Sequence, residues 1–400
     1  MRAIVMLDGQ AYAGTLDIKA EQSFDKVEGS ARITISELPG QVFPAKLGMP
    51  AQLILMGRPV VTGFINEVDA SHGWKDHAIN FSFRDKTQDF IDSTVGPGVE
   101  LKPPVTLKQV IERTTKKMGL DLKVIDKVSP PPFGSAEVPV AGIQEFGFNF
   151  CDRWARNREC VLTTDGEGNI VIDRNQKRRG PGMLFKSFED NPRNNVLKAK
   201  YKQSDKDRHN QTAVAGQKSQ NDLDYWEGQE KDFKPGQAGP MSKQWGVHLD
   251  DEIRPQRRRH YRSERGLEGG TPKKAAKWRS NVAKARGFQY TATVQGFEAA
   301  PGELWWPGFV IPVRDDHFEI NDELLIVKVQ WHLDFKGGAT TEVVCTYKDG
   351  FSEGGGGGGG RGSSGGIGSA AAGSHRAAQE EGLDQPEDEG PDRLDYDEGD

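Results

Sequence analysis

Three cysteines in 400 residues, Cys151, Cys160 and Cys345, are an odd number with no C-x-x-C pair among them. That argues against a disulfide framework or a thiolate zinc site and fits assembly in a reducing cytoplasm. No apolar run approaches the roughly 18 residues needed to span a bilayer. The opening MRAIVMLDGQAYAG has one cation and a short apolar run before Asp8, so neither a membrane span nor a secretory signal is expected. G-x-S-x-G occurs only where the Gly-rich end begins, at Gly350–Gly354 and Gly362–Gly366, with no strand-to-helix elbow expected there, and G-x-x-x-x-G-K and H-E-x-x-H are missing, which removes familiar signatures of phosphate-loop enzymes and zinc peptidases.

Apolar residues are scarce too, at 35% of the chain, and the formal net charge is −6. Both figures are distorted by one end. Gly354 to Gly360 is an unbroken glycine run, and Ala377 to Asp400 carry eleven acids against one Arg, leaving the rest at +4. From Phe351 onward the chain reads as a flexible, Gly-rich acidic tail, because glycine loses much entropy on ordering and the acids repel one another. The body is close to neutral, so overall charge points to no ligand.

What remains reads as two strand-rich blocks around a mixed insert. The key stretch is Ile79 to Thr94, where Ile79, Phe81 and Phe83 alternate with polar residues before Asp85 to Gln88 break the pattern and Phe90 and Ile91 return at helical spacing. Residues 1–94 otherwise give short strands, with Gln52–Met56 and Val60–Val68 forming a hairpin, and suggest a first β-barrel-like domain. Residues 95–190 change period. Thr106 and Gln109 stand in capping-box positions before an amphipathic helix that ends at Gly119, and Leu120–Ile125 alternates like a strand. A second helix of about four turns would place Ile143, Phe146, Phe150 and Trp154 on one stripe. Val161–Thr164 and Asn169–Asp173 bracket a turn. Residues 191–350 return to strands as a second β-barrel-like domain, with a polar insertion at Gln203–Pro240 and a helix opening at Pro272; residues 351–400 are the tail. The fold class is α+β, mainly β.

Candidate chemistry is thin, and no catalytic, cofactor-binding or metal-ligating set is assigned. His72 and His77 read as solvated loop residues, and His248 with Asp250 to Glu252 lacks the spacing of a calcium loop. The acids Asp315, Asp316, Glu319, Asp322 and Glu323 would serve a peptidoglycan-cleaving enzyme only across a sugar cleft, and turns between strands explain them more simply. Candidate partner-contact residues are Arg84 and Asp85 at the strand-to-helix junction, the adjacent indoles Trp305 and Trp306, and Arg257, Arg258 and Arg259. The last three belong to RPQRRRHYRSER, which could instead neutralise DNA phosphates around Tyr261 or form a solvated helix face. For Arg84, Asp85 and the nearby Asp89 the plainer reading is an Arg paired to a carboxylate at a strand-to-helix junction. The indoles, in one strand, would face opposite sides, one toward the core.

FRDKTQDFID, Phe83 to Asp92, resembles the junction after the first barrel in baseplate hub proteins of contractile-tailed bacteriophages, the Mu-like and late control protein D type, with Phe83 where glycine is common. TLKQVIERTTKKMGLDLKV is similar to that family's T-L-x-x-I helix, Trp306-Pro307-Gly308 resembles its W-x-P-N-like step, and an Arg-rich helix before the final strands completes the order. The resemblance implies a structural virion protein, assembled in the host cytoplasm, that needs no cofactor. It further implies a homotrimer whose two similar barrels per chain make a pseudo-sixfold ring between the sixfold tail tube and the threefold central spike, among other baseplate proteins. A DNA-binding assembly protein is the alternative, a lytic tail enzyme the third.

Overall fold

Alternating apolar residues in the first block form the expected strands. The computed structural model describes residues 3–12, 15–36, 45–72, 77–96, 101–134, 138–215, 245–262, 272–334 and 337–352. The first block holds β1 (Ala3–Leu7), β2 (Gln10–Tyr12), β3 (Thr15–Ser23), β4 (Ser30–Ser36), β5 (Pro50–Leu55), β6 (Arg58–His72) and β7 (His77–Asp85). Met56 and Gly57, both at positive φ, make the two-residue turn between β5 and β6, so the hairpin expected from Gln52–Met56 and Val60–Val68 turns one residue earlier than those bounds place it. The tail from residue 353, and most of the expected polar insertion, lie outside the described residues.

The insert holds α1 (Gln88–Asp92), α2 (Leu107–Lys117), β8 (Val124–Asp126), α3 (Gly147–Asn157), β9 (Val161–Thr164) and β10 (Ile170–Asp173). The Thr106 capping box forms as expected: Thr106 Oγ1 accepts from Gln109 N at 3.2 Å, and Gln109 Oε1 accepts from Thr106 N at 3.0 Å. The second helix starts later than its apolar stripe suggests. Gln144 has φ of +58°, which no right-handed helix accommodates, so α3 begins after Phe146 and Ile143 stands 98% exposed. The β9–β10 hairpin docks on the first block through close backbone approach. A Cβ on Gly166 would lie 1.9 Å from Pro59 O, and Thr62 Oγ1 donates to Gly166 O at 2.7 Å.

The last block holds β11 (Leu184–Lys186), β12 (Val196–Gln203), β13 (Gln211–Ala215), β14 (Trp245–Leu249), β15 (Arg258–Arg262), α4 (Pro272–Arg286), β16 (Phe288–Gln295), β17 (Glu298–Ala300), β18 (Glu303–Leu304), β19 (Val310–Asp315), β20 (Ile320–Asp334) and β21 (Gly338–Tyr347). Its main strands repeat the first block. The order β3-β4-β7-β6-β5 is matched by β12-β16-β21-β20-β19, with every neighbouring pair antiparallel. Irregularities recur at the same places. Leu16 is bulged out between β3 and β4 as Leu197 is between β12 and β16, and Asn66 between β6 and β7 as Val327 is between β20 and β21. Bulges carry register with them, so two modules that share both are structural copies. Between β12 and β16 the second copy carries β13, β14, β15 and α4.

The copies are not separate bodies. β3 pairs antiparallel with the second half of β20, from Ser23 opposite Lys328 to Asp17 opposite Asp334, giving one 13-stranded sheet. A single apolar cluster runs through both, from Val5 and Ile33 to Trp331 and Cys345. At the seam Trp331, 1% exposed, lies opposite Ala20. Truncating Trp331 to Ala is therefore expected to cost about 3–5 kcal/mol. Equilibrium denaturation should show both modules lost in one shifted transition, whereas a split into two transitions would contradict a shared core.

Candidate partner interface

Where β7 meets α1, the junction residues turn inward. Asp85 is fully buried and accepts from Gly29 N at 2.7 Å, Thr62 N at 3.1 Å and Gln22 Nε2 at 3.3 Å. Burial pushes its carboxyl up to about 7, against the lowering effect of those donors. Arg84 is clamped between Glu28 and Asp92, with Nη1 2.6 Å from Asp92 Oδ2. Arg84 is thus paired to carboxylates at the junction, Asp85 not among them, and the buried Asp85 offers no surface to a partner.

The indoles depart from the opposite-faces expectation because they follow β18 rather than lie within a strand. Trp305 N donates to Phe297 O at 3.1 Å, and both rings pack on the same core cluster. Trp305 is 2% exposed, so it too is removed from any partner surface, while Trp306 is half-buried with its ring centroid 5.6 Å from that of Trp331.

Arg258 and Arg259 lie in β15, which runs parallel to β13, so the helix-face alternative does not hold there, while the helix expected to open at Pro272 forms as α4, Pro272–Arg286. A strand suits this segment because β13 offers it an edge along its whole length. Arg257 Nη1 reaches Asp205 at 2.6 Å, and Arg257 Nη2 donates to Lys206 O at 2.6 Å. Arg259 and Arg279 both sit on the Tyr261 ring, 5.2 and 4.3 Å from its centroid, which leaves little of that ring for base stacking. Arg265 lies outside the described residues. Asp250 is engaged by Arg208 at 2.8 Å rather than by a metal set with His248. Among the described residues no group of three metal-ligating side chains is found, and no helix is long and apolar enough to cross a membrane. Of the five acids, Asp315 is buried and accepts from Tyr290 Oη at 2.8 Å, Asp316 pairs with Arg314, and Asp322 and Glu323 both pair with Lys348. They sit in strands and turns rather than across a cleft.

Two strand edges were missed from the sequence. β12 carries Lys198, Lys200 and Lys202 on one face; among the described residues it pairs only with β16, and none of these lysines is in an ion pair. Beyond its bulge β6 carries Glu67 and Asp69, and there it pairs, among the described residues, only with β7. A signal was available. L-x-x-K-x-x-Q-S occurs at Leu16 to Ser23 and again at Leu197 to Ser204, which marks β3 and β12 as equivalent.

A family model described as the fourth domain of the Mu phage baseplate assembly protein GpP matches residues 270–353. The chain is 22% identical over 349 residues to the baseplate hub protein gp44 of Escherichia phage Mu, covering 86% of this chain and 87% of that one. The 43 kDa tail protein of prophage MuSo2 from Shewanella oneidensis shares the fold with a TM-score of 0.69 at 22% identity, over 87% of this chain and 99% of that one. A tail protein from Neisseria meningitidis MC58 matches with the same TM-score at 16% identity, over 87% and 96%. These findings bear out the resemblance drawn from FRDKTQDFID and the order of the other motifs, and the relatives are named as tail and baseplate proteins.

The buried junction carboxyl has a pH signature. Its pKa is raised in the folded state, so the native chain binds the extra proton, and the stabilisation present below the ordinary 3.8 is lost as pH rises through about 7. Unfolding free energy should fall by up to about 1.4 kcal/mol per pH unit across that window from this group, and Asp85→Asn should flatten the slope in urea titrations. Gly29→Ala would place a methyl 2.5 Å from Asp85 Oδ2 and 2.1 Å from Gln22 Nε2. It is expected to cost about 1–3 kcal/mol by overpacking; an unchanged denaturation midpoint would contradict the geometry.

Proposed function

We propose that this chain, a structural tail protein of the Mu baseplate-hub type with its place in the virion's baseplate, works as three copies closed into a ring. The ring joins the sixfold tail tube to the threefold central spike. The observation that carries the reading is the internal duplication, in which two modules share strand order, register and bulge positions. Three such chains present six near-equivalent module faces, which suits a sixfold neighbour. The parts that are not duplicated, the α2–α3 insert and the β13–β15 subdomain with α4, occur once per chain and suit a threefold one.

The role is geometric. It asks for rigid placement, supplied by the continuous core beneath both modules, and for strand edges that a neighbour covers. The mass of the full chain in solution tests it, by light scattering across a concentration series. Three chains per particle is the expected result, and a persistent single chain at tens of micromolar would count against the ring.

A further inference from the structure

We infer that the joint between chains repeats the joint within the chain. The outer edge of β12 in one copy pairs with the second half of β6 in the next, antiparallel, in the register that β3 adopts on β20. The inference rests on the ring reading above and supplies its contact and its assembly rule. The occupant of both edges is a second copy of this chain.

The duplication makes the register explicit. β3 corresponds to β12 and β20 to β6, and in the first copy the β3 edge is already seated on β20. The corresponding edges, β12 and β6 beyond Asn66, have no described strand upon them. Aligning the two copies at their bulges places Lys202 where Glu21 stands, Tyr201 where Ala20 stands, Glu67 where Lys328 stands, Asp69 where Gln330 stands and Ala70 where Trp331 stands.

Chemistry at these positions is exchanged between the two joints. Within the chain, Glu21 lies opposite Gln330, which donates to it at 2.7 Å, and diagonal to Lys328, whose Nζ is 2.6 Å away. Between chains the same geometry sets Lys202 opposite Asp69 and diagonal to Glu67. The charges have changed sides and the attraction is kept. Size is exchanged on the other face. Small Ala20 opposite large Trp331 becomes large Tyr201 opposite small Ala70, and Ala70 is exposed, as a residue awaiting cover would be.

Both exchanges penalise the wrong pairings. A β3 edge on β6 would set Glu21 against Glu67 and Asp69 and leave Ala20 over Ala70, a void. A β12 edge on β20 would set Lys202 against Lys328 and Tyr201 against Trp331, a clash. Like charges across strands and overpacked aromatics each disfavour the contact. First-copy and second-copy modules must therefore alternate around the ring.

The test uses the full chain. Lys202→Glu should weaken self-association about tenfold or more per joint at low salt, and Glu67→Lys with Asp69→Lys should do the same. Combining all three should restore assembly, which a merely unfolded variant would not. In a further variant, Asp69→Cys with Lys202→Cys should oxidise to covalent species of up to three chains, since the native Cys151, Cys160 and Cys345 are buried. A wild-type particle of three chains with no cross-link and no response to charge reversal would overturn this joint and leave the ring standing. A wild-type chain that never self-associates would overturn both.

Discussion

The β3–β20 ladder is the constraint on which the architecture depends. Without it the chain would be two small sheets tethered through an insert, each with a thin core and two open edges. With it, β-strands from opposite ends of the sequence share one sheet, and the apolar faces below merge into one cluster from Val5 to Cys345. Trp331 matters because it fills the space that Ala20 leaves at that seam. No hinge remains between the modules, so the angle between them is set by sheet twist. In the proposed ring that angle would have to be the same in every copy.

The junction at the end of β7 does a second job with buried polar groups. Asp85 ties together the Gly29 turn, the start of β6 and Gln22 of β3. Gly29 is required there because no Cβ fits between that carboxyl and the Gln22 amide. Arg84, one residue earlier and on the opposite face, clamps α1 through Asp92. FRDKTQDFID is therefore informative for structural reasons. It is where a strand ends, a buried network closes and a separate layer begins.

Much of this was legible in the sequence because the signals were local. Alternation found β4 and β7, the capping box found α2, and the hairpin turn found β9 and β10. The misreadings arise where something other than composition and period decided the outcome, a partner strand in one case and a local change of backbone direction in the others. Arg258 to Arg262 look helical by composition but are drawn into a strand by the β13 edge. Ile143 fits the stripe of α3, yet the left-handed Gln144 stops the helix short of it. Trp305 and Trp306 were placed in a strand and assigned opposite faces, whereas the chain leaves β18 before them and both indoles fold onto one core. The lysines of β12 and the acids of β6 drew no notice, since charges alternating along a strand look like an ordinary solvated face. They gain meaning only when the two copies are laid on each other.

That superposition bears on why the two halves have diverged. Two identical modules in one chain would let either edge accept either partner, and chains could join out of phase, branch or stop at an odd number of modules. In the proposed joint, opposite charge and opposite size at corresponding positions would remove that freedom, because each edge would then recognise only the other kind of module. A closed ring must hold equal numbers of both. True symmetry therefore counts chains, while the near-symmetry seen by a neighbour that contacts only the shared strands counts modules, at twice that number. In the proposed ring, threefold and sixfold surfaces on one particle would follow from divergence at the joints, with the common strand order left untouched.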